Sequence, residues 1–139
     1  MEKNKKIHID CNLSVVGFLL NKEKPNEYTT FPKPGALNLE PGEYEFQYDY
    51  PLSTTAKFKH KLTPKTSGRN ILRYAARDYK KIYDIEDGKA GDPGYIKGML
   101  NRNESDGPFG IWGHYMGDLF FEGIHIDPAK KIVRFFMGS

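Results

Sequence analysis

The sequence predicts a single α+β domain spanning residues 1–139. Its parts are an antiparallel sheet of about five strands, one long amphipathic helix packed on it, and shorter helices in the C-terminal half. Three observations carry this. Apolar residues alternate with period two in the first half of the chain, switch to spacings of three and four between 71 and 83, and close up into an apolar final segment. At 139 residues the chain has the length of one closed core. Hydrophobic residues make up 38% and aromatic residues 14%, which argues for a folded protein.

The first strand is read from Ile7, Ile9, Cys11, Leu13 and Val15, which alternate with His8, Asp10, Asn12 and Ser14. The apolar phase then moves to Phe18 and Leu20, which predicts a bulge or bend at Val16-Gly17. Residues 21–42, rich in Lys, Asn, Pro and Gly, read as a long surface connection. In the next pair of strands Tyr44, Phe46, Tyr48 and Tyr50 alternate with acids and Gln47, and Ala56, Phe58, His60 and Leu62 alternate with lysines. A hairpin about Leu52-Ser53-Thr54 sets Tyr48 opposite Phe58, Phe46 opposite His60 and Tyr44 opposite Leu62. The same register sets Asp49 against Lys57 and Glu45 against Lys61.

After the capping candidates Thr66 and Ser67, the stripe Ile71, Leu72, Ala75, Ala76, Tyr79, Ile82, Tyr83 predicts a helix of about four turns ended by Asp87-Gly88 and Gly91. Asp92-Pro93 predicts a second, short helix through Leu100. Residues 113–123 read as a short helix running into a strand at about Ile124. Ile132 to Met137 read as a final strand paired inside the sheet.

The segment Gly107 to Asp127 concentrates chemistry: the lone Trp112, His114 and His125, the acids Asp118, Glu122 and Asp127, and five of the fourteen glycines. On a helix, His114, Asp118 and Glu122 fall at i, i+4 and i+8, where His114 and Asp118 could share a metal ion or serve as acid and base. The competing reading is a structural hydrogen-bond network that fixes the turn after Trp112. Trp112 either plugs its loop into the core or joins Phe109 and Tyr115 as an exposed aromatic anchor. Cys11 lies on the apolar phase of its strand, as a buried, inert thiol does.

Charge narrows the classes. The net charge is +3, with ten lysines and eight acids in residues 1–65 and eleven basic residues against ten acids in 66–139. Neither half is a basic arm, so composition gives nucleic-acid binding no support. The lysine row at 57, 59, 61 and 65 has acids on the preceding strand to neutralise it. The helical triad Arg69, Arg73, Arg77 is the best anion-facing surface. One cysteine excludes an internal disulfide, and no apolar run approaches the ~20 residues that span a bilayer. With no signal-peptide core at the N-terminus, the default setting is the cytoplasm. No cofactor or resident metal is expected.

No nucleophile elbow, His-Glu-x-x-His pair or phosphate-binding loop is present. The expectation is therefore a small non-catalytic binding protein, of inhibitor or immunity type. It engages a protein partner through Phe109, Trp112, His114, Tyr115, Asp118 and Glu122. Two alternatives stand beside it: a binder of a small anionic ligand such as a nucleotide, using the arginine triad and the Gly-rich loop, and a metal-assisted hydrolase built on His114, Asp118 and Glu122.

Overall fold

In a computed structural model, residues 5–20, 35–90 and 104–138 are described, with the backbone alone at 89 and 90. The short helix expected after Asp92-Pro93 and most of the 21–42 connection lie outside them. The elements in chain order are β1 (Ile7–Ser14), α1 (Val15–Leu19), β2 (Gly42–Tyr48), β3 (Ala56–Leu62), α2 (Gly68–Ala90), a 3-10 turn at Met116–Asp118, β4 (Phe120–Asp127) and β5 (Ile132–Gly138).

Five strands form one sheet in the order β1-β4-β5-β2-β3. The α+β class holds, but the sheet is mixed: β2 and β5 run parallel while the other three pairs are antiparallel. The C-terminal strand is internal, flanked by β4 and β2, as its apolar composition on both faces requires.

Alternation places Tyr44, Phe46 and Tyr48 of β2 on the same side as Val133 and Phe135 of β5, all buried. Against this face lies α2, whose Ile71, Leu72, Ala75, Ala76, Tyr79, Ile82 and Tyr83 are buried as the stripe predicts. Rings interlock across the layer, with Tyr48 stacked on Phe135 at 5.2 Å and edge-on to Tyr79 at 4.9 Å. Ser67 is the N-terminal cap of α2, its Oγ accepting the Asn70 N–H at 3.2 Å. The helix runs 23 residues, about 34 Å, and passes through Asp87 and Gly88 without stopping.

Other expectations are corrected. The bend at Val16-Gly17 is a short helix, α1, capped by Ser14 Oγ accepting the Gly17 N–H. The strand irregularity instead falls between Asp10 and Leu13. The surface connection ends in the core, because Leu37 and Leu39 are buried. The hairpin register is two residues from the expected one: Phe46 faces Phe58, Tyr44 faces His60 and Glu45 faces Lys59. A shift of two keeps every side chain on its predicted face, so alternation alone could not detect it. The wide turn sets the register. Thr55 Oγ1 donates to Asp49 Oδ1 at 2.6 Å, and Leu52 leaves the hairpin axis to bridge Ile111. As a consequence Lys57 faces Gln47 and has no acid opposite it.

Candidate functional site

The Gly-rich loop is held by the second half of α2. Tyr79, Tyr83 and Glu86 fall at i, i+4 and i+7 on one helix face. Tyr79 donates its hydroxyl to the Tyr50 carbonyl at 2.7 Å, and Tyr83 donates to the His114 carbonyl at 3.0 Å. Glu86 is buried and accepts the N–H groups of Gly107 at 2.9 Å, Phe109 at 2.7 Å and Gly110 at 3.1 Å, along with the Ser105 hydroxyl. Burial pushes the Glu86 carboxyl up, but these four bonds outweigh it and hold it below its ordinary range.

Two of the glycines have a direct cause. A Cβ on Gly107 would sit 2.8 Å from the Glu86 carboxylate, and Gly110 takes φ +63°. The glycine cluster thus serves a structural nest for an internal carboxylate. The far side of the loop is tied to the β2–β3 turn, where Ser53 and Thr54 donate N–H groups to the Phe109 carbonyl and Trp112 donates to the Pro51 carbonyl at 2.9 Å.

On this platform Trp112 is 39% exposed. Its ring meets Tyr50 edge-on at 5.2 Å, and the Tyr50 hydroxyl lies 2.8 Å from His114 Nε2. The lone indole is therefore not sealed in the core. Phe109 is half-buried and packs against the core. Tyr115 is half-buried, and Asp118 accepts its N–H at 3.0 Å as a local cap. Glu122 is exposed on β4, and its carboxylate lies beside Gly138.

The expected line of His114, Asp118 and Glu122 does not form. Residues 113–115 lie outside any helix, only a 3-10 turn follows, and β4 begins at Phe120. Among the described residues no three His, Cys, Asp or Glu side chains gather as a metal site would need.

Arg73 donates to Asn70 Oδ1 at 2.8 Å, and with Arg77, Phe18 and Leu19 it lines a cavity of about 530 Å³ between α1 and α2. Arg69 begins the row one turn earlier, half-buried. The Gly-rich loop binds α2 at Glu86, nine residues past Arg77 and so about 14 Å along the axis. The two parts expected to share one anion are therefore apart.

Three features escaped the sequence reading. Asp78 is fully buried, accepting the Tyr48 hydroxyl at 2.5 Å on the oxygen that lies 2.7 Å from His60 Nε2. Its other oxygen, Oδ1, is buried without a partner among the described residues. Both Asp78 and Glu86 stand in the apolar phase of the α2 stripe, a signal that was legible. The third feature is on the opposite face of the sheet, where the registers align Lys57, Gln47, Arg134, His125 and His8 in one row across all five strands. No acid stands in that row. Beside it Phe136 is 54% exposed, with its ring 5.6 Å from that of His8.

Cys11 is half-buried, its thiol 3.5 Å from the Phe121 carbonyl and pushed up to about 12 by burial, then by Asp10 and Glu122. That is an inert thiol at neutral pH. No described helix is long and apolar enough to cross a membrane. No family model matches the chain, and no curated protein or solved structure matches it either.

Proposed function

We propose that this chain is a small non-catalytic binding protein, of inhibitor or immunity type, that engages a protein partner through the platform of Trp112 and Tyr50. One observation carries the reading: a 39% exposed indole whose backbone is fixed on both sides. The Trp112 N–H is tied to Pro51, the preceding Ile111 bridges Leu52, and the following His114 is bonded to Tyr50 and Tyr83. Exposed rings held this rigidly lose little conformational entropy on association, which is why Trp and Tyr dominate binding hot spots. The cytoplasm is the setting we propose, in keeping with one cysteine that has no partner for a disulfide.

The test is affinity capture with the wild-type chain, Trp112→Ala, Tyr115→Ala and Leu20→Ala, where Leu20 is an exposed apolar residue of a different element. A specific partner should be lost with Trp112→Ala and kept with Leu20→Ala. Since Trp112 is the only Trp, its emission should also shift when that purified partner is added. Capture indifferent to Trp112→Ala removes the anchor.

A second reading has its own observation, the cavity of about 530 Å³ lined by Arg73 and Arg77 with an apolar wall of Phe18 and Leu19. Its size suits a small ligand, and two guanidinium groups suit a phosphate or carboxylate. Thermal shift against nucleotides and dicarboxylates tests it. Stabilisation abolished by Arg73→Gln with Arg77→Gln supports it, and a flat response removes it.

A further inference from the structure

Parallel strands β2 and β5 are paired only at Glu45–Ile132, Phe46–Val133 and Gln47–Arg134. Beyond that point both continue, β2 to Tyr48 and β5 to Gly138. On its other side β5 stays paired with β4 as far as Gly138. The two chains therefore part at their carboxyl ends, the place where open sheets with parallel strands take ligands. A cavity of about 510 Å³ lies there, lined by Asp49 and Tyr50 beyond the end of β2, by Arg134, Phe135, Phe136 and Met137 of β5, and by His125 of β4.

We propose that this cleft receives an extended acidic segment of the protein partner, which adds along the free edge of β5 and places a carboxylate on Arg134. The inference rests on the reading that the chain binds a protein. Main-chain recognition is the first support. Among the described residues nothing pairs with Phe135 to Gly138 on the β2 side. Phe135 still stacks on Tyr48 of β2, so the open part of that edge is Phe136 to Gly138, about 10 Å long, room for three residues of a strand.

Charge is the second support. Arg134 donates Nε–H to Gln47 Oε1 at 3.1 Å, and no ion pair engages its guanidinium among the described residues. An adjoining cavity of about 150 Å³ shares His125 and Arg134 and adds Lys6 and Lys130. One acid lines each cavity, Asp49 beside Arg134 in the first and Asp127 beside Lys6, Lys130 and Arg134 in the second, so the positive excess lies on the Arg134 side shared with the smaller cavity. Asp49 accepts the Thr55 hydroxyl, and Asp127 accepts the Lys130 N–H at 3.2 Å. A carboxylate beside an apolar side chain fits Arg134 beside Phe136 and Met137. Tyr50 belongs both to this cleft and to the Trp112 platform, so one partner can cover the two together.

The experiment is amide NMR on the ¹⁵N-labelled full chain, titrated with blocked Glu-Val-Glu-Val-Glu-Val, with its Lys-for-Glu counterpart, and with glutarate. The acidic peptide should move the amides of Tyr50 and of Arg134 through Gly138, and its binding should weaken with salt. Arg134→Gln should weaken it about tenfold, the worth of one charge-assisted bond, while Arg73→Gln leaves it unchanged. Unmoved amides, an equal response to the lysine peptide, or shifts confined to Arg73 and Arg77 would overturn the proposal. A full response to glutarate alone overturns it too, assigning the site to a free carboxylate. If these fail while partner capture still depends on Trp112, only the cleft is lost and the platform reading stands.

Discussion

Glu86 Oε1 accepts the backbone N–H of Phe109 at 2.7 Å, joining the end of α2 to the middle of a Gly-rich loop 23 residues away in sequence. With the bonds from Gly107 and Gly110, the loop forms a concave row of amides around a carboxylate supplied by the protein itself. Such amide nests elsewhere bind external anions. Here the position is taken, so the loop's glycines support the Trp112 platform instead of a phosphate.

Glu86→Ala strips the acceptor from three main-chain donors and one hydroxyl. The expected loss is about 3–5 kcal/mol, read from urea unfolding, because each unsatisfied buried donor costs ~1–3 kcal/mol and the loop relaxes only in part. Since the folded carboxyl is held below its ordinary value, its contribution is complete above about pH 4.5 and is lost as pH falls through the folded value. Glu86→Gln should flatten that acid limb. An unchanged acid limb counts against the nest as a source of stability.

Gly107→Ala and Gly117→Ala form a matched pair. A Cβ at 107 meets the Glu86 carboxylate at 2.8 Å, whereas a Cβ at 117 meets nothing within 4 Å. The first substitution should cost about 1–3 kcal/mol and raise the Trp112 emission yield's sensitivity to quencher as the loop loosens. The second should lie within about 0.5 kcal/mol of wild type. Equal effects at the two positions would contradict the close approach.

Much of this architecture was legible. Alternation along β2 and β3 identified both faces, the α2 stripe identified every helical core residue it named, and Ser67 was a visible cap. The site was less so. His114, Asp118 and Glu122 have helical spacing, but the glycines at 113 and 117 and the run of β-favouring residues from Phe120 take the chain into a turn and strand. The parallel pairing of β2 with β5 is a tertiary choice with no local pattern, and the cleft between them was invisible for that reason. Glu86 and Asp78 were readable only as anomalies, carboxylates in an apolar phase, and their partners lie far off in sequence.

Asp78 titrates with the opposite sign to Glu86. Burial raises its carboxyl above the ordinary value, and the bonds from Tyr48 and His60 offset this only in part. The folded state therefore binds this proton more tightly than the unfolded chain does. That stabilisation is fully present below about pH 3.8 and fades as pH rises through the folded value. The difference in unfolding free energy between wild type and Asp78→Asn should accordingly be most favourable to wild type in acid, and shrink toward neutral pH. Tyr48→Phe, which deprives Asp78 of a donor, should cost about 1.5–3 kcal/mol at neutral pH. A pH-independent difference for Asp78→Asn would overturn the burial argument.

Cys11 should be silent to a disulfide-exchange reagent in the folded protein at pH 8. Its thiol is pushed up to about 12 by burial, so the thiolate fraction there is on the order of one in ten thousand. Unfolding in urea should release one equivalent of rapid reaction. Prompt labelling without denaturant would show that β1 opens readily along its pairing with β4.

The β2–β3 register can be tested by energy rather than by position. Glu45 stands directly opposite Lys59, while Lys61, the partner that simple folding about Leu52-Ser53-Thr54 selects, stands opposite Glu43. Directly opposed charges couple by roughly 0.2–1 kcal/mol, and diagonal neighbours couple less. A double-mutant cycle on Glu45→Ala and Lys59→Ala should therefore give a larger coupling than one on Glu45→Ala and Lys61→Ala. The hydrogen bond from Gln47 Nε2 to Glu45 Oε2 at 2.7 Å competes for the same carboxylate, so the first coupling should grow in a Gln47→Ala background. The reverse order of couplings would restore Asp49 opposite Lys57. It would also set Lys59 in place of Lys57 opposite Gln47, so the acid-free row that runs through Arg134 would keep a cation at its β3 end.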